Sequence, residues 1–405
     1  MLNNSQIQQI QATVPILREH GVALTTHFYQ RMLTSNPALR EVFNLGHQRS
    51  GAQAKALANA VLAYAEHIEQ PEFLKTALDM IIHKHISLNI QPDQYAIVGE
   101  NLLVSISDIL QVPMDSELIQ AWALAYQQLA NLLIHGEQVR YDQQRHQAGG
   151  WIGWREFIIQ KKIKESSEIS SFYLAPVDGQ PLPNYHAGQY VSLRTFVPEL
   201  GILQPRQYTL SDCPRNEYYR ISVKHEKTKG ELAAGWVSTT LHHHRMVGDI
   251  VELSMPSGDF YLKNPDHPVV LISAGVGITP MIAILNQLAT IGIPQPVCFI
   301  HACRNSEAHA MRDHLQELTI QYSNLKYWVA YSRPQTHDSL GRDYHYHGRI
   351  NTDQLIQFTL LPNADYYLCG NIEFIRAQYQ SLLALGISTK HIFTEIFSTG
   401  GFSDL

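Results

Sequence analysis

The sequence predicts three modules in a row: an all-α domain, an antiparallel β-barrel, and an open α/β domain built on a parallel sheet. Three observations carry that expectation. Apolar residues recur at helical spacing from Ser5 to about Arg145, with no strand-like alternation long enough to compete. Short β-type runs punctuated by turns fill the stretch from Trp154 to about Leu262. Beyond Pro268, strand-like and helix-like stretches alternate, and the first strand leads into the glycine turn Gly275-Val276-Gly277-Ile278-Thr279-Pro280.

In the first module Leu24, Phe28 and Met32 share one helix face, and Asn36-Pro37 ends that helix because proline excludes the residue before it from the α region. Further stripes run through Leu57, Val61, Tyr64 and Ile68, through Leu74, Leu78 and Ile81, and through Trp122, Tyr126, Leu129 and Leu133. The small-residue joint Gln147-Ala148-Gly149-Gly150-Trp151 closes the module. Strands are expected at Glu156 to Lys162, Ser170 to Leu174, Gln189 to Leu193, Tyr219 to Lys224 and Ile250 to Leu253. The last module reads as strand Val269 to Ser273, helix Pro280 to Thr290, strand Val297 to Ala302, helix Ala308 to Tyr322, strand Lys326 to Tyr331, strand Tyr366 to Cys369 and helix Glu373 to Gly386. The expected boundaries are 1–146, a linker at 147–153, 154–262 and 263–405.

Composition narrows the function classes. A chain of 405 residues has room for two or three domains of roughly 100–200 residues, and so for large internal sites. The net charge of −6 and the lack of a Lys/Arg block argue against nucleic acid or an anionic membrane as a partner. Met1 to Gln11 lacks the basic and then apolar pattern of a signal peptide, and no apolar run reaches the ~18 residues that span a bilayer. Cys213, Cys298, Cys303 and Cys369 show no metal-binding spacing and read as reduced thiols of a cytoplasmic protein.

Within the helical module, the stripe Leu74, Leu78, Ile81 continues at helical spacing to His85. A lone histidine there is more often a core residue bonded to a carbonyl. Tyr95 follows soon after Pro92, however, and Glu137 extends the Leu133 stripe by one turn. A buried phenol and carboxylate on the far nitrogen of an imidazole would orient it as a haem ligand and raise its basicity. Tyr29 lies beside the Phe28 stripe, and Gln53 and Leu57 are one turn apart, so a phenol and an amide are available to donate to a bound diatomic ligand. Phe43 is placed to wedge a macrocycle. His83 sits on a different helix face from His85.

Taken together, Tyr29, Phe43, Gln53, Leu57, Lys84-His85, Tyr95 and Glu137 resemble the globin domain of the bacterial flavohaemoglobins. The resemblance implies that His85 is the proximal iron ligand of a b-type haem, with Tyr95 and Glu137 as its activating relay. It implies Tyr29 as the distal group, with Gln53 beside it and Lys84 tuning the potential.

In the barrel, Arg206-Gln207-Tyr208-Thr209-Leu210-Ser211 offers a guanidinium for a pyrophosphate, an aromatic face for a flavin ring, and the Thr209 and Ser211 hydroxyls as donors. This segment resembles the FAD signature of the ferredoxin-NADP reductase superfamily, which the flavohaemoglobin reductase half shares. Ala187-Gly188-Gln189-Tyr190 resembles a second flavin-contacting strand. Gly235-Trp236-Val237-Ser238 resembles a helix start that receives the pyrophosphate, with Ser238 as a simple N-cap the plain alternative. Gly275, Val276, Gly277, Ile278, Thr279 and Pro280 resemble the nicotinamide-binding turn of that superfamily, and Cys369-Gly370 the loop beside the nicotinamide, although Asn371 replaces the usual proline. Thr394-Glu395-Ile396-Phe397 resembles the segment lying against the flavin, followed here by Ser398-Thr399 instead of Gly-Pro. Arg333 is a candidate for a 2′-phosphate.

The resemblance covers the chain in order: globin, FAD barrel, NAD(P) module. It implies a monomeric nitric oxide dioxygenase using haem, FAD and NADPH or NADH, with NO and O2 as substrates and an apolar haem pocket that admits lipid. The rival readings are a haem-based O2 or NO sensor with a maintenance reductase, and a lipid hydroperoxide reductase.

Overall fold

The computed structural model describes residues 2–228, 234–359 and 361–397, so Ser398 and Thr399 lie outside the described residues. The chain forms two compact units, one built from residues 2–154 with 194–206, the other from the remaining described residues.

The first unit holds the helices α1 (Asn4–Ala12), α2 (Val14–Ser35), α3 (Leu45–Arg49), α4 (Ala52–Glu66), α5 (Lys75–Ser87), α6 (Pro92–Leu110) and α7 (Glu117–His146). Local chemistry sets their ends. Asn3 and Gln6 form a capping box at α1, α2 stops at Asn36 before Pro37, Pro92 opens α6 where its missing N–H costs nothing, and the Ser116 side chain caps α7. Leu24, Phe28 and Met32 of α2 pack with Leu102 and Ile106 of α6 and Trp122 and Ala125 of α7. Each large side chain so buried contributes about 1.5–3 kcal/mol of gross stabilisation. Ile68 falls beyond the end of α4, because that helix stops at Glu66.

Two glycines bring α7 against its neighbours. A Cβ on Gly136 would lie 2.4 Å from Ile82 Cδ1 of α5, and one on Gly99 of α6 would lie 2.5 Å from the Tyr126 ring. The α5 face also differs from the simple stripe. Ile82 and Ile86 are its buried apolar positions, against Ala130 and Leu133, while Leu78, Ile81 and His85 are half-buried on the adjoining face.

The antiparallel sheet is formed by β1 (Arg155–Lys164), β2 (Ile169–Pro176), β3 (Tyr190–Val197), β4 (Ile202–Thr209), β5 (Tyr219–Lys224) and, after α8 (Trp236–His243), β6 (Ile250–Leu253). Their order is β4-β3-β6-β1-β2-β5, and a bridge between Leu210 and Ile221 curls the two ends together. Strand β4 was not expected from the pattern. It carries Pro205 and a polar run from Gln204 to Gln207, which an edge strand tolerates because its outer N–H groups need no partner.

The parallel sheet uses β7 (Val269–Ala274), β8 (Val297–Cys303), β9 (Leu325–Tyr331), β10 (Tyr346–His347), β11 (Asp365–Gly370) and β12 (Ile392–Ile396), with helices α9 (Ile278–Ala289), α10 (Arg312–Gln321), α11 (Thr352–Thr359) and α12 (Ile372–Ala384). Its order is β10-β9-β8-β7-β11-β12. Helix α10 begins later than expected because a 3₁₀ turn capped by Asn305 and a left-handed Met311 precede it. The short β10 and β12 and the polar α11 lacked an apolar run long enough to be read. The four cysteines are free and buried, and no helix among the described residues is long and apolar enough to cross a membrane.

Candidate functional site

The close approach of α5 and α7 places His85 beside Glu137, which is only 2% exposed. Tyr95 Oη donates to Glu137 Oε1 at 2.5 Å, and His85 Nδ1 lies 2.7 Å from the same oxygen and 2.9 Å from Tyr95 Oη. Because the phenol hydrogen is spent on the carboxylate, Nδ1 must be the protonated nitrogen and the donor to both oxygens. That fixes the tautomer: Nε2 keeps its lone pair and has no partner among the described residues, the state in which an imidazole ligates a metal. Burial, then the hydrogen bond and charge of Glu137, push the Tyr95 phenol well above its usual range, so it stays a donor. The triad is itself braced. Tyr126 Oη donates to the Tyr95 carbonyl at 2.6 Å, and Tyr141 Oη donates to the Ile90 carbonyl at 2.9 Å.

A second group gathers around Tyr29, whose ring meets Phe28 and Phe43 edge-on at centroid distances of 4.9 and 5.7 Å. Leu57 and Phe43 pack against the same core. Burial raises the Tyr29 phenol, opposed by a hydrogen bond with the Gln53 side chain, so at neutral pH it is a neutral donor. Among the described residues Gln53 Oε1 and Gln48 Nε2 are buried without hydrogen-bond partners, and a cavity of about 540 Å³ is lined by Tyr29, Gln48, Ala54 and the outer face of α2. His85 is not among its lining residues, so this cavity reports the surroundings of Tyr29 alone. Lys84 is lowered by burial, and the His47 imidazole is pushed down to about 4 by burial and then by the charges of Arg206 and Lys84. His47 and Gln48 carried no sequence signal: one is among 21 histidines and the other sits on no apolar stripe.

The barrel residues divide. Gln207 Nε2 donates to Ser192 Oγ at 3.0 Å, Thr209 is buried and Tyr208 half-buried. Tyr190 is held in the sheet by paired backbone bonds with Ser257, and its ring lies against Gly258, where a Cβ would approach within 2.9 Å. Arg206 Nη1 donates to the Pro205 carbonyl at 2.6 Å. Ser211 does not serve as expected. Its hydroxyl is fully buried at 2.7 Å from Ser222 Oγ, which makes it part of the barrel interior. Nor is Ser238 an N-cap: Gly235 is, and Ser238 Oγ donates to the Gly235 carbonyl while accepting from Glu226 N. Among the described residues the first turn of α8 therefore has no side-chain cap, and it holds no acidic residue, which suits a phosphate at its N–H groups.

In the parallel sheet the strand order reverses between β7 and β11, and the crevice beyond the carboxyl ends of such strands is where open α/β sheets take ligands. Gly275 to Gly277 end β7 there and Cys369-Gly370 end β11. Gly275 has φ +54° and open space around its missing Cβ, whereas a Cβ on Gly277 would lie 2.3 Å from the Cys369 carbonyl oxygen. Val276 lies between the two glycines. Ile278, Thr279 and Pro280 form the first turn of α9, with Thr279 Oγ1 donating to the Val276 carbonyl at 3.0 Å and no acidic residue in that turn. The departure at Asn371 has a local reason: its side chain accepts from Phe374 N at 2.8 Å and caps α12. Arg333 follows just past the end of β9.

Strand β12 pairs Glu395 with Cys369 and Ile396 with Gly370, and Phe397 follows, 45% exposed. Burial, with the Asp259 charge second, lifts the Glu395 carboxyl from its ordinary 4.5 to about 8. The neutral acid is thus favoured by the fold. Its stabilising contribution is full below about 4.5 and is lost as pH rises through about 8. In Glu395→Gln that loss is expected to vanish, and urea unfolding compared between about pH 5 and about pH 8 measures it. An unchanged pH slope would show that Glu395 is not the titrating group.

Residues 26–133 match the globin family, and residues 271–380 match the oxidoreductase NAD-binding domain. A flavohemoprotein of Bordetella pertussis is 49% identical over 394 residues, 97% of each chain. The crystal structure of a flavohemoglobin from Malassezia yamatoensis with bound FAD and heme superposes with TM-score 0.84 at 29% identity, covering 98% of this chain and 100% of that one. The flavohem-like FAD/NAD-binding domain of nitric oxide dioxygenase from Vibrio cholerae superposes with TM-score 0.54 at 35% identity over 60% of this chain and 98% of that one. With a globin and an oxidoreductase NAD-binding module in order and nearly its whole length matched, the chain belongs to the flavohemoprotein family.

Proposed function

We propose that this protein is a nitric oxide dioxygenase that binds haem, FAD and NADPH or NADH and converts NO and O2 to nitrate. When bound, the haem supplies an iron that takes single electrons and activates O2, the flavin divides a hydride into single electrons, and the nicotinamide supplies that hydride. The protein's part is to hold and tune these groups. His85 offers Nε2 as the axial donor, and the Glu137 carboxylate, sharing the Nδ1 proton and fixed by Tyr95, gives the imidazole anionic character. Tyr29, kept neutral by burial, donates a hydrogen bond to the O2 site, with Gln53 beside it. Lys84 and His47 add a cationic or polar corner to the same helical unit.

In the reductase part, Tyr190 and Tyr208 present aromatic faces for the flavin, Gln207 and Thr209 its polar contacts, Arg206 a charge for the pyrophosphate, and the uncapped start of α8 at Ser238 an anion site. Gly275 to Pro280 cradle the nicotinamide nucleotide at the switch point, and Glu395 to Phe397 cover the ring. As a neutral acid, Glu395 can donate a hydrogen bond where an ionised carboxylate could only accept.

The observation that carries the reading is the Tyr95–Glu137–His85 relay in a chain that also holds an oxidoreductase NAD-binding module. A basic axial ligand favours O–O cleavage, and the Vibrio cholerae protein with the similar reductase is described as a nitric oxide dioxygenase. Quantifying products under O2 tests it: nitrate matching NO consumed is expected, and nitrous oxide as the main product would overturn it. Tyr29→Phe is expected to speed O2 dissociation by about 10-fold or more, since one hydrogen bond to a charged group is worth about 1.5–3 kcal/mol, and to slow NO oxidation. Stopped-flow displacement of O2 by CO measures this, and an unchanged dissociation rate would remove Tyr29 from the O2 site.

A further inference from the structure

At the amino-terminal end of the parallel sheet, remote in the strand direction from the switch-point crevice, three metal-ligating side chains meet. Asp365 opens β11 opposite Val269 of β7 and is fully buried. Its Oδ1 lies 2.7 Å from His391 Nδ1 and its Oδ2 lies 3.1 Å from His267 Nδ1. One ligand atom from each of the three falls within 4.8 Å of the others. Both imidazoles are 40% exposed, so an ion can reach them from solvent, whereas the carboxylate is sealed.

Among the described residues, Asp365 has only these imidazoles as ion-pair partners. A sealed carboxylate is strongly unfavourable without compensating positive charge, and the two ring nitrogens facing its oxygens can supply that charge by holding a cation in common with it. A cation between the three groups resolves this. We propose that His267, Asp365 and His391 bind a divalent transition cation of the zinc class, with solvent completing the coordination. Two imidazoles and one carboxylate suit such an ion, while three protein ligands, only one of them an oxygen donor, are poor for calcium or magnesium. Asn264 Nδ2, donating to Oδ2 at 2.9 Å, orients the carboxylate from outside the ligand set. The ion would tie the segment before β7, the start of β11 and the turn before β12 to one point, fixing at its far end the strand that carries Glu395.

The test uses the full-length holoprotein, freed of metal with a chelator and titrated with Zn²⁺ against a fluorescent zinc chelator, beside His267→Gln, His391→Gln and the double variant. These side chains are half-exposed and lie outside the proposed cofactor sites, so NADPH oxidation with ferricyanide serves as a check that the variants are folded. The expected result is a tight zinc equivalent in the wild type that each single variant weakens by at least the roughly 10–100-fold that loss of a mere outer-shell partner causes, and that the double variant lacks. Asn264→Ala should weaken it by about 10–100-fold, and excess Mg²⁺ or Ca²⁺ should not compete. Identical zinc stoichiometry and affinity in wild type and double variant would overturn the proposal. If the double variant fails the folding check, the His391→Gln comparison alone decides.

Discussion

His85→Ala is expected to be isolated without haem, lacking its visible absorption band, while retaining NADPH oxidation with ferricyanide. The reason is geometric. Among the described residues Nε2 of His85 is the nitrogen that the triad leaves unprotonated and unpartnered, and Tyr95 and Glu137 hold it so from the interior. Removing the imidazole also strands a buried carboxylate whose other partner is a phenol, and the lost hydrogen bond to that charged group costs about 1.5–3 kcal/mol beyond the lost ligand. His85→Gly with added imidazole separates ligation from folding, since rescue of haem binding requires an intact cavity. Glu137→Gln should retain haem but lower its affinity or turnover by about 10–100-fold, because the amide accepts from Nδ1 without supplying charge. A His85→Ala protein that holds haem and oxidises NO normally would remove His85 from the axial position.

Gly277→Val should have the second large effect, in the NAD-binding module. Sequence treats Gly275 and Gly277 alike, but the structure separates their reasons. Gly275 needs a left-handed backbone in open space, while Gly277 has an ordinary backbone and no room, with the Cys369 carbonyl oxygen 2.3 Å from where its Cβ would be. The clash is with the backbone of β11, so relief must move the turn or the strand end where β7 and β11 diverge. A displacement of about 1 Å in a site of this kind costs ~100-fold in rate. NADPH-driven flavin reduction should therefore fall by ~100-fold, while haem content and dithionite-reduced O2 binding stay normal. Wild-type flavin reduction in Gly277→Val would show that the nucleotide does not use this turn.

These two sites also show what a sequence can and cannot reveal. The relay was legible because helical spacing alone puts His85 on an apolar stripe and Glu137 one turn beyond Leu133, and a carboxylate on an apolar face demands a partner. The glycine turn was legible because a strand, two glycines and a helix stand in order. Strand β4 was hidden by Pro205 and its polar neighbours, whose acceptability depends on lying at the sheet edge. Ser211 looked like a ligand donor because its spacing fits, yet only the folded barrel shows its hydroxyl turned to Ser222. His47 had no local signature, since its low basicity arises from burial and from Arg206, far along the chain. His267, Asp365 and His391 are likewise brought together only by parallel strand pairing.

If electrons taken from NADPH support oxidation of NO by O2 at the helical unit, an NO electrode will report it in the purified holoprotein, read with NADPH in the presence and absence of O2. Rapid NO loss is expected that requires both NADPH and O2, yields nitrate in equal amount, and disappears in His85→Ala. NO loss that proceeds only without O2, or none at all in a protein with its haem and flavin bound, would contradict the dioxygenase reading.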